Sequence, residues 1–212
     1  MKKASGPFEH RIIDTDQVSS LDRYQLLTSL VVPRPIGWVS TYAIDGVLNL
    51  APFSFFSAVA ASPMLISVSI GNRMGHPKDS LRNILDQRAF CVNIVTEVQV
   101  AQMNETSADF SPDQDEFERT DLPVGIADKV SAPYVANCPA VFECALFKEV
   151  DLGDAGGLVL GEVKAVRLNS DLQFKEGSCL VDTTELRPVA RLGGPEYTLL
   201  GDILVIPRPT IK

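Results

Sequence analysis

The feature that most limits what this chain can fold into is a long stretch without charge, residues 46–72. The stretch is long enough to cross a membrane as a helix. It also contains Asn49, five serines and two prolines, Pro52 and Pro63. Such residues fit poorly in hydrocarbon, where every backbone polar group needs an internal partner. We therefore interpret the stretch as consecutive buried strands and expect no membrane segment.

The charge of the chain excludes some classes of partner. Its 212 residues carry 27 acidic and 19 basic side chains, a formal net charge of −8. An acidic chain without a basic run is a poor ligand for nucleic acid or for anionic membrane surfaces. The N-terminal residues contain two lysines but no apolar run, so we expect no secretory signal and a cytoplasmic location.

The cysteines give no sign of a metal site or a disulfide framework. Cys91, Cys138, Cys144 and Cys179 form no CxxC pair, and the chain has only two histidines, His10 and His76. We predict reduced core cysteines and no metal ion.

Hydrophobic periodicity predicts many strands and few helices. A single domain is expected over residues 1–212, with a tail at 1–20 and a core at about 26–206. Residues 109–118 hold five acids and are expected to be a solvated loop. Because helices and strands do not alternate regularly, the pattern favours a mainly β fold, a β-barrel with a few peripheral helices, over a doubly wound sheet. Strands are predicted at 36–42, 47–51, 53–60, 64–70, 89–95, 140–150, 158–168 and 203–206, and helices at 16–30, 79–87 and 97–108.

Motifs for hydrolysis and for Rossmann-type nucleotide binding are absent from the sequence. It contains no GxSxG, HExxH, Walker A or GxGxxG pattern. A chain with so few candidate bases is better suited to chemistry that a cofactor supplies.

Three segments combine residues that could hold such a cofactor. Residues 34–41 join a rigid entry, a glycine and the only tryptophan, Trp38. Residues 49–57 mix small and aromatic residues with Pro52, which we expect to interrupt the strand ladder and free backbone N–H groups. Residues 75–80 precede a predicted helix, so that Lys78 and the first-turn amides could bind a phosphate. Taken singly, Trp38 and the phenylalanines could equally be core residues, and Asp79 a helix cap.

Six runs in this order, RPIGWVST, NLAPFSFFS, PKDSLRNI, FCVNIV, LGEV and PVARLGGPEY, resemble the flavin-reductase-like family, with the flavoredoxin branch closest. The similarity extends from about residue 26 to residue 201. It implies an FMN-binding split barrel that is dimeric and holds FMN noncovalently near the subunit interface.

The resemblance also implies a set of cofactor-binding residues. Two strand segments would flank the isoalloxazine and ribityl chain, a third would lie at the phosphate end with His76 as a further contact, and a fourth would close the site, from either subunit. These residues are Trp38, Val39, Ser40 and Thr41; Asn49, Ala51, Pro52, Ser54, Phe55, Phe56 and Ser57; His76, Lys78, Asp79 and Ser80; and Arg191, Leu192, Gly193 and Gly194.

The activity that the resemblance implies is hydride transfer from NAD(P)H to the flavin N5 atom, without a dedicated catalytic side chain. One departure concerns the electron donor: relatives often carry a histidine just after the GEV strand, where this chain has Arg167, Leu168 and Asn169. The alternatives are a flavoredoxin-type protein with a protein redox partner, and an FMN-binding protein without nicotinamide activity.

Overall fold

The computed structural model describes residues 9–210, and strands dominate it. The helices are α1 (Ser20–Leu30), α2 (Asp79–Gln87), α3 (Val100–Glu105), α4 (Glu116–Arg119) and α5 (Thr183–Leu186). The strands are β1 (Arg34–Pro35), β2 (Gly37–Tyr42), β3 (Leu48–Phe53), β4 (Phe56–Ala61), β5 (Met64–Ile70), β6 (Asn72–Arg73), β7 (His76–Pro77), β8 (Ala89–Ile94), β9 (Val124–Ile126), β10 (Pro133–Val135), β11 (Ala140–Asp151), β12 (Gly157–Leu168), β13 (Ala190–Arg191) and β14 (Tyr197–Thr198).

Seven strands form the main sheet, in the order β3-β2-β8-β11-β12-β5-β4. All of its strand pairs are antiparallel. Smaller sheets join β1 to β13 and β14, β9 to β10, and β6 to β7. The prediction of a mainly β split barrel with a few peripheral helices is confirmed.

Strands β2 and β8 are buried on both faces, so neither shows the alternation of a half-exposed strand. Trp38 and Cys91 point into one core cluster, whereas Val39, Phe90 and Val92 point into a second. Neighbouring residues of a strand face opposite sides. The sheet therefore separates two cores, and the second is completed by helix α2.

Local sequence signals place the two longest helices. Helix α1 starts at a capping box, in which Ser19 Oγ accepts from the backbone N–H of Asp22 at 3.1 Å and the Asp22 carboxylate accepts from the backbone N–H of Ser19. Helix α2 has the predicted bounds, and its N-cap residue is Lys78, not Asp79. Arg88 ends α2 in the left-handed conformation.

Pro52 does not interrupt the ladder as predicted. It lies within β3, opposite Trp38 of β2. Strand β3 is the last strand on its side of the sheet. The backbone N–H of Leu50 points outward, to a side chain, so position 52 has the same orientation and the missing N–H of Pro52 removes no bond to β2. The strand ends one residue later, at Phe53, and Ser54 and Phe55 form a bend.

The charge-free stretch is not buried throughout. Strands β3 and β5 contribute core residues, but most of β4 is exposed. Strand β4 is the other end strand of the sheet, so among residues 9–210 its only paired neighbour is β5. The prediction of consecutive buried strands is therefore wrong for β4.

Several further predictions are corrected. Residues 201–210 contain no regular strand, although 203–206 are apolar, because no neighbouring strand pairs with them. The helix expected at 97–108 is limited to α3. Three cysteines are buried, but Cys179 is exposed. Residues 1–8 of the tail expected at 1–20 lie outside the described part of the chain. The prediction that there is no secretory signal rests partly on these residues.

None of the helices in residues 9–210 is long and apolar enough to cross a membrane. In the same part of the chain, no group of three or more His, Cys, Asp and Glu side chains is placed to hold a metal ion.

Gly161 of β12 allows a close contact in the second core cluster, because a methyl group there would overlap the Phe90 ring. Gly161→Ala should lower the free energy of unfolding by about 1–3 kcal/mol, the usual cost of overpacking a core. Gly201 has no neighbour within 4 Å of an added Cβ atom, so Gly201→Ala should change stability by less than about 0.5 kcal/mol. Urea unfolding of both variants measures the difference, and equal effects would contradict the packing described here.

Candidate functional site

The cavity that combines most of the predicted cofactor-binding side chains has a volume of about 620 Å3. Four parts of the chain enclose it: strand β3, the β6–β7 hairpin, the N-terminal turn of α2, and residues 106–112 with the start of α4. Among the lining residues, those with a charged, hydrogen-bonding or aromatic side chain that bear on ligand binding are Asn49, Phe53, Arg73, Lys78, Ser80 and Glu116.

The N-terminal turn of α2 forms one end of the cavity. The first amides of a helix have no partner within the helix, and the Lys78 side chain makes no capping hydrogen bond to them. The Lys78 ammonium lies 5.9 Å from the centre of the Phe53 ring. Such a turn next to a lysine favours an anionic group, because the helix dipole and the lysine charge act together.

The other cations of the cavity are already paired. Arg73 forms an ion pair with Asp109 at 3.5 Å and donates to the backbone carbonyl of Phe110 at 3.3 Å. Arg82 is paired with Asp79. Among residues 9–210, Lys78 has no ion-pair partner. Lys78 is therefore the cation that a ligand can engage without breaking an existing pair.

Glu116 is the principal site residue that the sequence prediction missed. It was assigned to a solvated acidic loop, but its side chain is buried and 6% exposed. Its Oε1 accepts from Asn49 Nδ2 at 3.0 Å, and its Oε2 accepts from the backbone N–H of Leu50 at 3.0 Å. Burial raises the pKa of Glu116 to about 7, although these hydrogen bonds act in the opposite direction. A run of five acids contains no local signal that singles out the buried one.

Residues 106–112 form the far wall of the cavity and were also missed, because no motif marks them. Thr106 Oγ1 accepts a hydrogen bond from Trp38 Nε1 at 2.9 Å. The only tryptophan therefore supports the cavity from behind while its ring packs in the core.

Seven of the predicted residues line this cavity. They are Asn49, Ala51, Pro52, His76, Lys78, Asp79 and Ser80. They come together because β3 ends beside the hairpin that leads into α2. The pairing of β6 with β7 brings His76 opposite Arg73.

The predicted residues of β2 and β4 lie elsewhere. The side chains of Trp38, Val39, Ser40 and Thr41 are fully buried. The Phe56 ring packs on Gly37, where an added Cβ atom would lie 3.0 Å from Phe56 Cγ. The close approach that Gly37 permits is thus used by Phe56. Three other predicted residues also lie outside the cavity of the single chain: Ser54, Phe55 and Ser57.

The predicted closing segment lies near the end of α1. Arg191 packs over the Tyr197 ring, 4.4 Å from its centre, and donates to the carbonyl of Gly194 at 2.6 Å. Gly193 lies beside Ser29. Arg34 joins this segment to α1, because its buried guanidinium donates to the carbonyls of Leu192 and Val31, both at 2.8 Å, and to that of Thr28. The Arg34 guanidinium therefore already donates its hydrogen bonds to backbone carbonyl groups.

Arg167, Leu168 and Asn169, where the resemblance led us to expect a histidine, lie outside this cavity. The Arg167 guanidinium donates to the buried Glu143 carboxylate at 2.8 Å, pairs with Asp128, and lies 4.7 Å from the centre of the Tyr134 ring. Asn169 lines a separate cavity of about 440 Å3, together with Asn137. Arg167 is thus held by contacts of its own.

Comparison with known proteins identifies one family. Residues 29–186 match the model of the flavin reductase like domain. The uncharacterised protein YwrF of Bacillus subtilis (strain 168) is 34% identical over 204 residues, which cover 94% of this chain and 99% of that protein.

Solved structures agree with this result. Nitrilotriacetate monooxygenase component B from Bacillus cereus superposes with a TM-score of 0.90 and 32% identity, covering 94% of this chain and 100% of that one. Flavoredoxin of Desulfovibrio vulgaris (Miyazaki F) gives a TM-score of 0.72 at 23% identity, covering 83% and 91%. The second similarity concerns the fold alone.

Proposed function

The chain belongs to the flavin reductase like domain family, and from this premise we propose that it is an FMN-binding reductase that passes hydride from NADH or NADPH to the flavin. The family supports a flavin cofactor and an oxidoreductase activity. The choice of FMN, the nicotinamide donor and the residues that bind both are our proposals.

The observation that carries the proposal is Lys78, a cation without an ion-pair partner among residues 9–210, at the end of a cavity with a partly apolar wall. Lys78 and the first-turn amides of α2 would hold the FMN phosphate. Ala51, Pro52 and Phe53 would form the wall along the flavin ring. The donor set fits a phosphate monoester, because it combines the Lys78 ammonium group with the first-turn amides of α2, which have no partner within the helix.

When bound, FMN supplies the chemistry, since its N5 atom accepts a hydride. The chain then has three tasks. Lys78 and the backbone amides of the first turn of α2, that of Ser80 among them, would fix the phosphate end. Strand β3 would exclude water from one face of the ring, and the open side of the cavity would admit the nicotinamide. Such positioning is a large share of what proteins add to cofactor chemistry.

The test of the proposed function is oxidation of NADH and NADPH by the purified protein with and without added FMN. Oxidation of either nucleotide that depends on FMN supports the proposal. FMN binding without nucleotide oxidation contradicts it. Reduction by a ferredoxin-like donor would then indicate the flavoredoxin-type alternative.

Lys78→Ala should weaken FMN binding but leave riboflavin binding nearly unchanged, because riboflavin has no phosphate. A charge-assisted hydrogen bond contributes roughly 1.5–3 kcal/mol, so the FMN Kd should rise about 10- to 150-fold. Titration of both flavins into variant and parent protein gives the four dissociation constants.

Lys148→Ala provides the control for this titration, because Lys148 is exposed on β11 and lies outside the cavity. It should change both Kd values by less than about twofold. Equal losses of FMN and riboflavin in Lys78→Ala would show that Lys78 contributes packing instead. An unchanged FMN affinity would exclude it as the phosphate ligand.

We also propose that the protein is a homodimer, on the evidence of an apolar surface that one chain leaves uncovered. Leu21, Tyr24, Leu27 and Leu30 recur every third residue along α1, and all are more than half exposed. The uncharged strand β4 has an open edge as well. Exposed apolar patches and open edge strands are usually covered by a partner. The closing segment at Gly193, next to α1, would then lie at this interface.

Light scattering should give twice the chain mass of 23.0 kDa. Leu27→Glu should shift the protein toward the monomer, because it buries a charge in the proposed interface. Ile44→Glu is the control, since Ile44 is also apolar and exposed but lies in the turn before β3. A wild-type monomer, or a dimer that Leu27→Glu leaves intact, would contradict this interface.

The cytoplasm is the proposed location. Cys91, Cys138 and Cys144 are buried free thiols, and burial raises their pKa values. Proteins of reducing compartments keep such cysteines unpaired. Detection of the protein in an oxidising compartment of its cell would contradict the proposal.

A further inference from the structure

The side chain that connects most parts of the cavity is Glu116, which the proposed hydride transfer does not use. We infer that Glu116 is a positioning residue of the flavin site: its carboxylate holds the Asn49 amide in one orientation and, through Asn49, sets the hydrogen bonding of Ser80. The inference rests on the proposed function, because Asn49 and Ser80 are among the proposed flavin contacts.

The orientation of Asn49 is determined by a partner that can only accept. The ionised Glu116 carboxylate has no proton to donate, so the Asn49 group that faces it has to be Nδ2. Its Oδ1 then points the other way and accepts from Ser80 Oγ at 2.7 Å and from Thr41 Oγ1 at 3.4 Å. Rotation of the amide would place its carbonyl oxygen against the carboxylate. Glu116 therefore excludes the flipped amide.

This network extends to the N-terminal turn of α2. Ser80 is 1% exposed, and its hydroxyl proton is directed to Asn49. Thr41 is held from the other side by Asn83 Nδ2, at 3.1 Å. The polar groups of strands β2 and β3 and of helix α2 are thus fixed before a ligand arrives. A pre-organised set of groups binds more tightly than one that has to be ordered on binding.

Glu116 also fixes one wall of the cavity. It is the first residue of α4, which is separated from residues 106–112 by only three residues, 113–115. Its second oxygen accepts from the outward N–H of Leu50 on the open edge of β3. One carboxylate therefore joins the wall, the strand edge and, through Asn49, the start of α2.

The arrangement requires the ionised form, because each oxygen of Glu116 faces a donor. A proton on either oxygen would make that oxygen a donor that faces an N–H donor, and the hydrogen bond between them would be lost. The charged groups around it are Asp115 beside it on the chain, Lys78, Asp79 and Arg82 of the α2 turn, Arg73 and His76 of the hairpin, and Asp109 of the wall. The arginines among them are paired with the aspartates of the cavity. Because burial raises the pKa of Glu116 to about 7, the positioned state is complete above this pH and is lost as the pH falls through it.

The variant that tests the role is Glu116→Gln. The glutamine keeps the shape of the side chain, but its amide offers one acceptor and one donor to the two N–H donors of Asn49 and Leu50. The FMN Kd at about pH 8 should rise about tenfold, the effect of losing one good hydrogen bond. Asn49→Ala should give a similar loss. The double variant should bind no more than about twofold more weakly than either single variant, because residues that act through one another are not additive.

The control variant is Glu118→Gln, which removes an exposed carboxylate from the same helix, α4. It should change the FMN Kd by less than about twofold. Thermal unfolding without FMN establishes that each variant is folded before its affinity is interpreted.

The pH profile separates positioning from a merely structural role. When the pH is lowered from about 8.5 to about 6, the wild-type protein should lose FMN affinity. Glu116→Gln should not show this additional loss. The phosphate titrates identically in both proteins, so it cancels from the ratio of the two Kd values. If Glu116→Gln does not fold, Asn49→Ala takes its place, since the same acid-dependent loss should disappear there.

The inference is overturned if Glu116→Gln binds FMN like the wild type, if the two single effects add in the double variant, or if the pH profiles run parallel. A wild-type protein that binds no FMN at micromolar concentration rejects the proposed function and this inference together. Wild-type binding with an unaffected Glu116→Gln rejects the role of Glu116 alone.

Discussion

The open edge of strand β3 is the constraint on which the rest of the candidate site depends. An end strand presents backbone N–H groups that have to be covered or removed. Here Pro52 removes one, and the Glu116 carboxylate accepts the N–H of Leu50 at 3.0 Å. Because Glu116 starts α4, covering the edge also brings residues 106–112 across from α2. The cavity is therefore a consequence of how the sheet ends.

Charge pairing determines what this cavity can attract. An acidic chain with a net charge of −8 cannot draw an anion by its overall field. Arg73 and Arg82 are each paired with an aspartate, whereas Lys78 stands at a helix N-terminus without a paired acid in the part of the chain that the structure describes. Local geometry thus supplies what net charge does not. The wall beside it, formed by the half-buried Ala51 and Pro52 and the buried Phe53, suits a flat, largely apolar ring.

Sequence patterns predicted the elements whose signals are local. The bounds of α2 and β5 were predicted exactly, because alternation and helix periodicity are complete within each. The strand expected at 203–206 was wrong, since an apolar run becomes a strand only where a neighbour pairs with it. Glu116 looked like four other acids, and only the tertiary position of the β3 edge distinguishes it. For the same reason the runs shared with the family include Asn49 and Lys78, which line the candidate cavity, but not the wall at 106–112.

The measurement that tests the central claim most directly is a crystal structure of the protein with FMN bound. We expect the phosphate to lie within hydrogen-bond distance of Lys78 Nζ and of the first amides of α2. The ring should lie along β3, and Asn49 Nδ2 should still donate to Glu116. A flavin bound in the separate cavity beside Asn137 and Asn169, or a phosphate held by Arg191 without Lys78, would contradict it.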